Sequence, residues 1–132
     1  VPIRQNIACT GSVNQLGRVQ AVGGVNEKIE GFFETCRRRG LDGSHGVIIP
    51  ADNVKHLMLR EDVIEAVNDK LFNVYAVRHI DEAVSLLTGQ EAGQREADGG
   101  FKAGTVNRKV EDQLILYARQ RRKFAEPSGG DE

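Results

Sequence analysis

Hydrophobic positions along this chain recur with two different periods, one typical of strands and one typical of helices. Short runs rich in apolar and β-branched residues predict strands over residues 3–10, 18–22, 46–50 and 72–77. Apolar residues three or four positions apart predict helices over residues 25–39, 52–58, 61–70, 80–87 and 106–124. Strands that alternate with helices are typical of an α/β fold, here with helices packed around a mixed sheet that is partly parallel.

The predicted helix over residues 25–39 has clear boundaries. Gly23 and Gly24 break the preceding strand, and Gly40 follows the last helical residue as a C-terminal stop. The apolar residues of this helix indicate a single buried face, formed by Val25, Ile29, Phe32, Phe33 and Cys36. The run GVIIP at 46–50 is continuously apolar, which indicates a strand covered on both faces.

Core-forming residues are concentrated in the first two thirds of the chain. A chain of 132 residues supports one core of ordinary size, and we expect this packed domain to span residues 1–88. Residues 89–105 are rich in Gly, Gln, Glu and Ala, which predicts a Gly-rich linker. A charged helix follows over residues 106–124, with an apolar stripe that needs another surface to cover it. Residues 125–132 have the composition of a disordered tail.

Composition and charge narrow the classes of partner. The chain has 18 Lys and Arg residues against 19 Asp and Glu residues, so its formal net charge of −1 offers no general attraction to nucleic acid or to an anionic membrane. No apolar run approaches the length of a membrane span, and the first residues lack the pattern of a secretory signal. We therefore expect a cytoplasmic location, no nucleic-acid partner and no membrane contact.

Most side chains that commonly carry chemistry are isolated in this sequence. Cys9 and Cys36 lack the paired spacing that would hold zinc, and we expect them to be reduced, packed thiols. No glycine-rich segment ends in the Lys-Ser or Lys-Thr pair of a phosphate-binding loop. No metal site is predicted either, because none of the histidines has a partner at ligand spacing; they are His45, His56 and His79.

The segment QAVGGVNEKIEGFF differs from the rest of the chain. A strand ends there at Gly23 and Gly24, and a helix begins with Lys28 one turn inside it. On spacing alone, Lys28 is an ordinary solvated helical lysine, and glycines at a strand-to-helix turn need no further function. The segment by itself therefore leaves its role open.

The longer pattern around this segment resembles a known family. The stretch TGSVNQLGRVQAVGGVNEKIEGFF, continued by RGLDG, GVIIPADN, NVYAV and IDEAVSLL, resembles the C-terminal part of the Lon-type peptidase domain across residues 1–88. It is more similar to the B-type and Lon-like branch, in which GGVNEKIEG is the familiar form. The resemblance implies the α/β fold of the Lon proteolytic domain, an architecture that is also found in ribosomal proteins.

The resemblance implies a site as well. In the family the lysine of the Gly-Gly-x-x-Glu-Lys motif is catalytic, which puts this role on Lys28. Thr10 resembles the threonine whose hydroxyl orients the lysine amine, although a threonine at a strand end can also cap a turn. Gly23 and Gly24 would let backbone pass close to the reacting groups. A lysine activates a serine hydroxyl only as the neutral amine, so we expect Lys28 in a pocket away from water.

The nucleophilic serine of this serine-lysine dyad lies well before the lysine in the family, and the resemblance therefore places it before Val1. The serines of the chain do not match its position; they are Ser12, Ser44, Ser85 and Ser128. We expect the chain alone to be inactive, and the complete protein to be an ATP-dependent Lon-like serine endopeptidase.

The resemblance also implies partners and suggests an alternative. It implies polypeptide substrates, a homo-oligomeric ring that is expected to be a hexamer, no cofactor in this part of the protein, and ATP with Mg in an ATPase module elsewhere if one is present. The alternative is a non-catalytic domain of the same architecture that acts as a scaffold or assembly domain. Lys28 and Thr10 discriminate between the two, because a scaffold has no need of a lysine buried against a hydroxyl.

Overall fold

The structure is a computed structural model of the chain, and it describes residues 1–125. The chain divides into two compact units, Val1–Gly89 and Gln90–Glu132. The first unit contains five strands, three α-helices and one 3-10 helix, in the order β1 (Ile7–Cys9), β2 (Ser12–Val13), β3 (Val19–Gln20), α1 (Val25–Arg39), β4 (Gly46–Pro50), the 3-10 helix (Ala51–His56), α2 (Glu61–Asn68), β5 (Asn73–Val77) and α3 (Ile80–Thr88). The second contains α4 (Val106–Ala125).

The main sheet of the first unit has three parallel strands in the order β1-β4-β5. The central strand β4 is buried along its whole length, as its continuous apolar sequence predicts. Its side chains alternate between two clusters. Val47 and Ile49 pack with residues of α1 and α2, whereas Ile48 packs with Ala83 of α3. Helices therefore cover both faces of the sheet, and the predicted α/β class is confirmed.

Helix α1 packs one face against this sheet. Val25, Ile29, Phe33 and Cys36 are buried at spacings of four, four and three residues, which places them on one side of the helix. The Phe33 ring meets the Phe72 ring edge to face at a centroid distance of 5.2 Å. This packing fixes the orientation of α1, and with it the positions of the polar side chains in its first turn.

Strands β2 and β3 form a separate antiparallel pair, in which Ser12 lies opposite Gln20. The turn between them is closed by the Asn14 side chain, whose Oδ1 accepts hydrogen bonds from the backbone N–H groups of Leu16 and Arg18. Parallel and antiparallel pairing thus occur in two separate sheets, and not in one mixed sheet as predicted. The main sheet is entirely parallel.

The largest differences from the predicted elements are in the first strand and in the segment after Pro50. The first strand is Ile7–Cys9 and not residues 3–10, because it is a strand only where it pairs with β4. The segment after Pro50 forms a 3-10 helix over Ala51–His56, where the pattern predicts an ordinary helix over residues 52–58.

The second unit consists of an irregular segment and α4. The irregular segment includes the predicted linker, and it contains a short hairpin in which Glu96 N donates to Gly100 O at 2.8 Å. Ala92 and Thr105 of this unit are buried. The predicted tail lies outside the described residues apart from Ala125, the last residue of α4. None of the helices described over residues 1–125 is long and apolar enough to cross a membrane.

Candidate active site

The structure brings Lys28 and Thr10 together. Lys28 Nζ donates a hydrogen bond to Thr10 Oγ1 at 3.2 Å, although the two residues are 18 positions apart in the sequence. Within residues 1–125 this is the one hydrogen bond of the Lys28 amine, and no carboxylate there lies within ion-pair distance of it. The amine therefore faces a hydroxyl and is not neutralised by a neighbouring acid in the described part of the chain.

Thr10 is placed by the main sheet. It follows β1, and its backbone N–H donates to Ile48 O of the central strand at 3.0 Å, which continues the pairing of β1 with β4 by one residue. The next residue, Gly11, packs so closely that a side chain there would lie 3.2 Å from Pro50 Cγ. The hydroxyl of Thr10 is thus attached to backbone that is held on two sides.

Lys28 is placed by the beginning of α1. Gly24 is the N-cap residue, and Lys28 N donates to Gly24 O at 3.1 Å in the first turn of the helix. Val25 and Ile29 on either side of this turn are 5% and 0% exposed, so the turn is fixed against the core. A helical side chain leans towards the helix N-terminus, and the Lys28 amine accordingly reaches back to the end of β1.

The two glycines of the motif differ in their local geometry. Gly24 has φ of 69° and ψ of 24°, a left-handed conformation that a residue with a Cβ adopts only at a cost. Gly23 has no positive φ, and a side chain added there would meet no atom within 4 Å. The left-handed backbone conformation therefore explains why position 24 is a glycine. The close approach of backbone to reacting groups stays a prediction.

Asn53 is a buried residue that supports this site and that the sequence pattern did not single out. Its Oδ1 accepts from Val22 N at 3.1 Å, and its Nδ2 donates to Val22 O at 2.9 Å. Both backbone groups of the residue before the glycine pair are therefore bonded to one side chain of the 3-10 helix. The only sequence signal is an asparagine in PADN, directly after the most buried strand.

A second asparagine holds the beginning of α1 from the same direction. Asn26 Oδ1 accepts from Met58 N at 2.8 Å, and Asn26 Nδ2 donates to His56 O at 3.4 Å. The end of the 3-10 helix and the first turn of α1 are thereby tied together. The position of Lys28 depends on this connection and on Asn53.

The burial of the pair differs from the expectation of an enclosed pocket. Thr10 is half-buried and Lys28 is exposed in the structure. The physical reason is that α1 packs the face of Val25, Ile29 and Phe33 against the sheet, whereas the described residues place no element over the Lys28 side chain.

A polar cavity of about 400 Å³ lies beside β3 and the end of β5, and neither Lys28 nor Thr10 lines it. Its charged lining includes Arg18, Asp52 and Arg78, none of which forms an ion pair within residues 1–125. No pattern in the sequence indicates this cavity, because its residues come from four separate segments.

His79 and Cys36 have structural environments. His79 caps α3: its Nδ1 accepts from Asp81 N at 3.2 Å, so its Nε2 carries the hydrogen and faces Leu16 O at 3.2 Å. Cys36 is buried, and this burial raises the pKa of its thiol. Cys9 is exposed, contrary to the expectation of two packed thiols, because it is the last residue of the edge strand β1. No group of three potential metal-ligating side chains occurs among the residues that the structure describes.

Fold and site together define an α/β domain with a lysine-hydroxyl pair at the end of its first parallel strand. Residues 1–89 match the Lon protease (S16) C-terminal proteolytic domain, and the chain belongs to this family.

Several curated relatives support this assignment. The chain is 53% identical over 87 residues to a putative Lon protease homolog of Escherichia coli, which is 66% of the chain and 15% of that protein. It is 42% identical over 123 residues to a putative Lon protease homolog of Haemophilus influenzae, or 93% of the chain and 20% of that protein. An archaeal Lon protease of Thermococcus kodakarensis is 35% identical over 117 residues, 89% of the chain and 15% of that protein. The chain thus spans a fifth or less of the length of these relatives.

Proposed function

We propose that this chain supplies the general base of an ATP-dependent Lon-like serine endopeptidase, with Lys28 as the base. The nucleophilic serine belongs, in this proposal, to the part of the proteolytic domain that precedes Val1. The observation that carries the proposal is the 3.2 Å hydrogen bond from Lys28 Nζ to Thr10 Oγ1 in a member of a protease family. A lysine amine that faces a hydroxyl and no carboxylate is suited to exchange a proton with a further hydroxyl.

The proposed chemistry follows the general scheme of serine hydrolases. The neutral Lys28 amine takes the proton of the serine hydroxyl while the serine oxygen attacks the carbonyl carbon of the substrate peptide bond. The resulting ammonium donates a proton to the leaving amine, and water then hydrolyses the acyl-enzyme with Lys28 again as the base. Backbone amides beside the serine would stabilise the oxyanion, by analogy with other serine hydrolases. Thr10 acts as a positioning residue, because its hydroxyl fixes the direction of the amine.

The exposure of Lys28 sets a condition on this proposal. Water stabilises the charged amine, and a base must be neutral, so the site needs a cover that removes Lys28 from solvent. In the proposal, the preceding part of the domain provides this cover together with the serine. We accordingly expect the chain alone to be inactive as a peptidase.

The wider setting is part of the same proposal. We expect polypeptide substrates, a cytoplasmic location and a homo-oligomeric ring, with six subunits as the expected number. The support for this setting is the family match, together with relatives that are named Lon proteases. The sequence offers no phosphate-binding loop, so ATP and Mg would be held by another module, and no step at Lys28 is assigned to them.

A second candidate function is a non-catalytic scaffold or assembly domain of the same architecture. The observation that favours it is the exposure of Lys28, which is what a solvated helical lysine shows. The two candidates differ in their need for the amine. A scaffold tolerates loss of the Lys28 amine, whereas a dyad does not.

The test is peptide hydrolysis by a longer protein that includes the preceding part of the proteolytic domain. We expect Lys28→Ala to lower the rate by about 10²–10⁴-fold, since this is the usual contribution of a general base. Lys55→Ala is the matched control, because Lys55 is an exposed lysine of the same unit and lies outside the site. Circular dichroism establishes that each variant is folded. Equal, measurable rates for Lys28→Ala and the unchanged protein would contradict Lys28 as the base, and absence of activity in both proteins would favour the scaffold candidate.

A further inference from the structure

Helix α4 carries an apolar face that the other described residues of the second unit, 90–105, do not cover. Val110, Leu114, Tyr117 and Phe124 follow one another at spacings of four, three and seven residues, which places them on one side of the helix. Their exposed fractions are 50%, 61%, 58% and 92%. Val110, Leu114 and Tyr117 are continuous along the helix, and Arg121 separates them from Phe124 on the same side. Exposed apolar side chains that are grouped in this way mark a surface that contacts another molecule.

A groove of about 420 Å³ lies beside the first half of this stripe. Val110, Leu114, Ile115 and Ala118 of α4 form one wall of this groove. The other side includes Phe101, whose ring lies 4.6 Å below the guanidinium of Arg95. The groove is therefore apolar, with an aromatic ring on one side, and it suits an aromatic side chain.

The most exposed apolar side chain of the helix is Phe124, and it cannot reach the groove of its own chain. It lies 14 residues after Val110 on the same face, about 21 Å further along the helix at 1.5 Å per residue. One helix thus carries a groove near one end and a protruding phenylalanine near the other. This arrangement is complementary to a second copy of itself.

We infer that α4 pairs antiparallel with α4 of a second copy of this chain, so that Phe124 of each copy enters the groove of the other. Tyr117 is the midpoint between residues 110 and 124, and it meets the partner's Tyr117 at the two-fold axis. The contact is isologous and closes after two copies. It is independent of the role proposed for Lys28.

The charges of α4 favour the antiparallel arrangement. Residues 106–115 contain two basic and two acidic side chains, whereas residues 116–125 contain four basic side chains and no acidic one. A parallel pair would place the two basic halves side by side, and an antiparallel pair separates them. With Tyr117 at the axis, Glu111 at the rim of the groove lies level with Arg122 and Lys123 of the other copy.

The second unit is also matched in one of the relatives. The match to the Haemophilus influenzae protein covers 123 of 132 residues and so extends past residue 89 into the second unit. An interface between two helices about 30 Å long is smaller than a standard protein interface. We therefore expect a dimer that dissociates on dilution.

Sedimentation of the full chain over a concentration series tests the inference. We expect a reversible monomer-dimer equilibrium, and we expect Phe124→Ala to raise the dissociation constant by at least about tenfold, as loss of an aromatic anchor does. Leu116→Ala is the matched control, because Leu116 is an exposed apolar residue of α4 that lies outside the stripe, about 100° around the helix from Tyr117. A chain that stays monomeric at every concentration, or a dimer that is equally sensitive to both changes, would overturn the inference.

A charge exchange tests the pairing itself. We expect Glu111→Arg and Arg122→Glu each to weaken the dimer, and the double variant to regain most of the loss, because it restores an opposite-charge pair. A double variant that is as weak as the worse single variant contradicts the proposed register.

Disulfide trapping tests the direction of the helices. In a Cys9→Ser background, which removes the exposed native thiol, Tyr117→Cys should crosslink with itself. Val110→Cys should crosslink with Phe124→Cys when the two variants are mixed, and neither should crosslink alone. Efficient crosslinking of Val110→Cys with itself would show a parallel pair and would reject the inference.

Discussion

Helices α1 and α4 have the same apolar spacing but differ in what covers it. In α1 the residues Val25, Ile29, Phe33 and Cys36 are at most 5% exposed. In α4 the residues at the same spacing, four, four and three apart, are Val106, Val110, Leu114 and Tyr117, and the last three are at least 50% exposed. Identical periodicity therefore produces a buried face in one unit and an exposed face in the other.

The difference shows that periodicity predicts a helix and its apolar side, but not the surface that covers this side. Helix α1 lies against β4 and Phe72, whose apolar residues come from other segments of the first unit. Within the second unit, α4 has only the irregular segment beside its first turns, where Val106 is buried. A face of this kind is stable in water when a further surface covers it.

The first test is the stability that the centre of the buried α1 face contributes. We expect Phe33→Ala to lower the free energy of unfolding by about 3–5 kcal/mol, because the change removes a buried ring and leaves a cavity beside Phe72. Denaturation by urea, with the slope of the transition compared with that of the unchanged chain, measures this loss. A loss below about 1 kcal/mol would show that α1 is no better covered than α4.

A second substitution tests the side chain that holds the backbone before the beginning of α1. We expect Asn53→Ala to cost about 1–3 kcal/mol, because it leaves the N–H and C=O of Val22 without their partner. The same denaturation experiment measures the cost. Asn73 also bonds backbone carbonyls, those of Gly43 and His45, and Asn73→Ala is a control for the loss of such a side chain away from the site. We expect only Asn53→Ala to reduce peptide hydrolysis in the longer protein.

Charged side chains join α1 to α2, in addition to the apolar residues that the two helices share in the core. Arg60 donates to Asp62 at 2.8 Å, and this contact lowers the pKa of the Asp62 carboxyl. Glu34 of α1 contacts Arg37 and, at 3.5 Å, Arg60, and these two arginines lower the pKa of the Glu34 carboxyl. A carboxylate with a lowered pKa stabilises the fold above its ordinary pKa, and this contribution is lost as the pH falls through the lowered value.

We therefore expect the chain to lose stability below about pH 4, where carboxylates of ordinary pKa begin to take up protons. In the Asp62→Asn variant, the stability lost on acidification should be smaller, because one of the titrating carboxyl groups is absent. Thermal unfolding of both proteins over a pH series measures the difference. Parallel stability curves for the two proteins would show that this ion-pair group does not contribute to folding.

The smallest effect is expected on the α4 face. At concentrations where the chain is monomeric, Leu114→Ala should change the free energy of unfolding by no more than about 0.5 kcal/mol, since the side chain is already exposed. Urea denaturation again provides the measurement. A cost near that of Phe33→Ala would mean that this face is covered within a single chain.

Much of the fold is predictable because local pattern and tertiary packing agree in it. The predicted α1 over residues 25–39 and the strand at 46–50 have the predicted bounds, since glycines delimit the helix and β4 is buried on both faces. The first strand was predicted too long, because its length depends on pairing with a distant strand. The 3-10 geometry after Pro50 has no distinct pattern of its own.

The candidate site was less predictable from local pattern. Spacing alone does not bring Thr10 to Lys28, because the hydrogen bond joins the end of a strand to the first turn of a helix 18 residues later. The family resemblance supplied that pair, and the catalytic role of Lys28 stays a proposal. The contribution of Asn53 was missed, because a buried asparagine in a short polar segment is recognisable only from its partners.

The most direct test of Lys28 as the general base is the rate of peptide hydrolysis by the longer protein carrying Lys28→Arg. Arginine keeps the positive charge, a long side chain and the ability to donate to Thr10, but it stays protonated and cannot accept the serine proton. If Lys28 is the general base, we expect a folded protein whose activity falls as far as that of Lys28→Ala. Activity close to that of the unchanged protein would contradict it, because a permanently charged side chain would then suffice at this position.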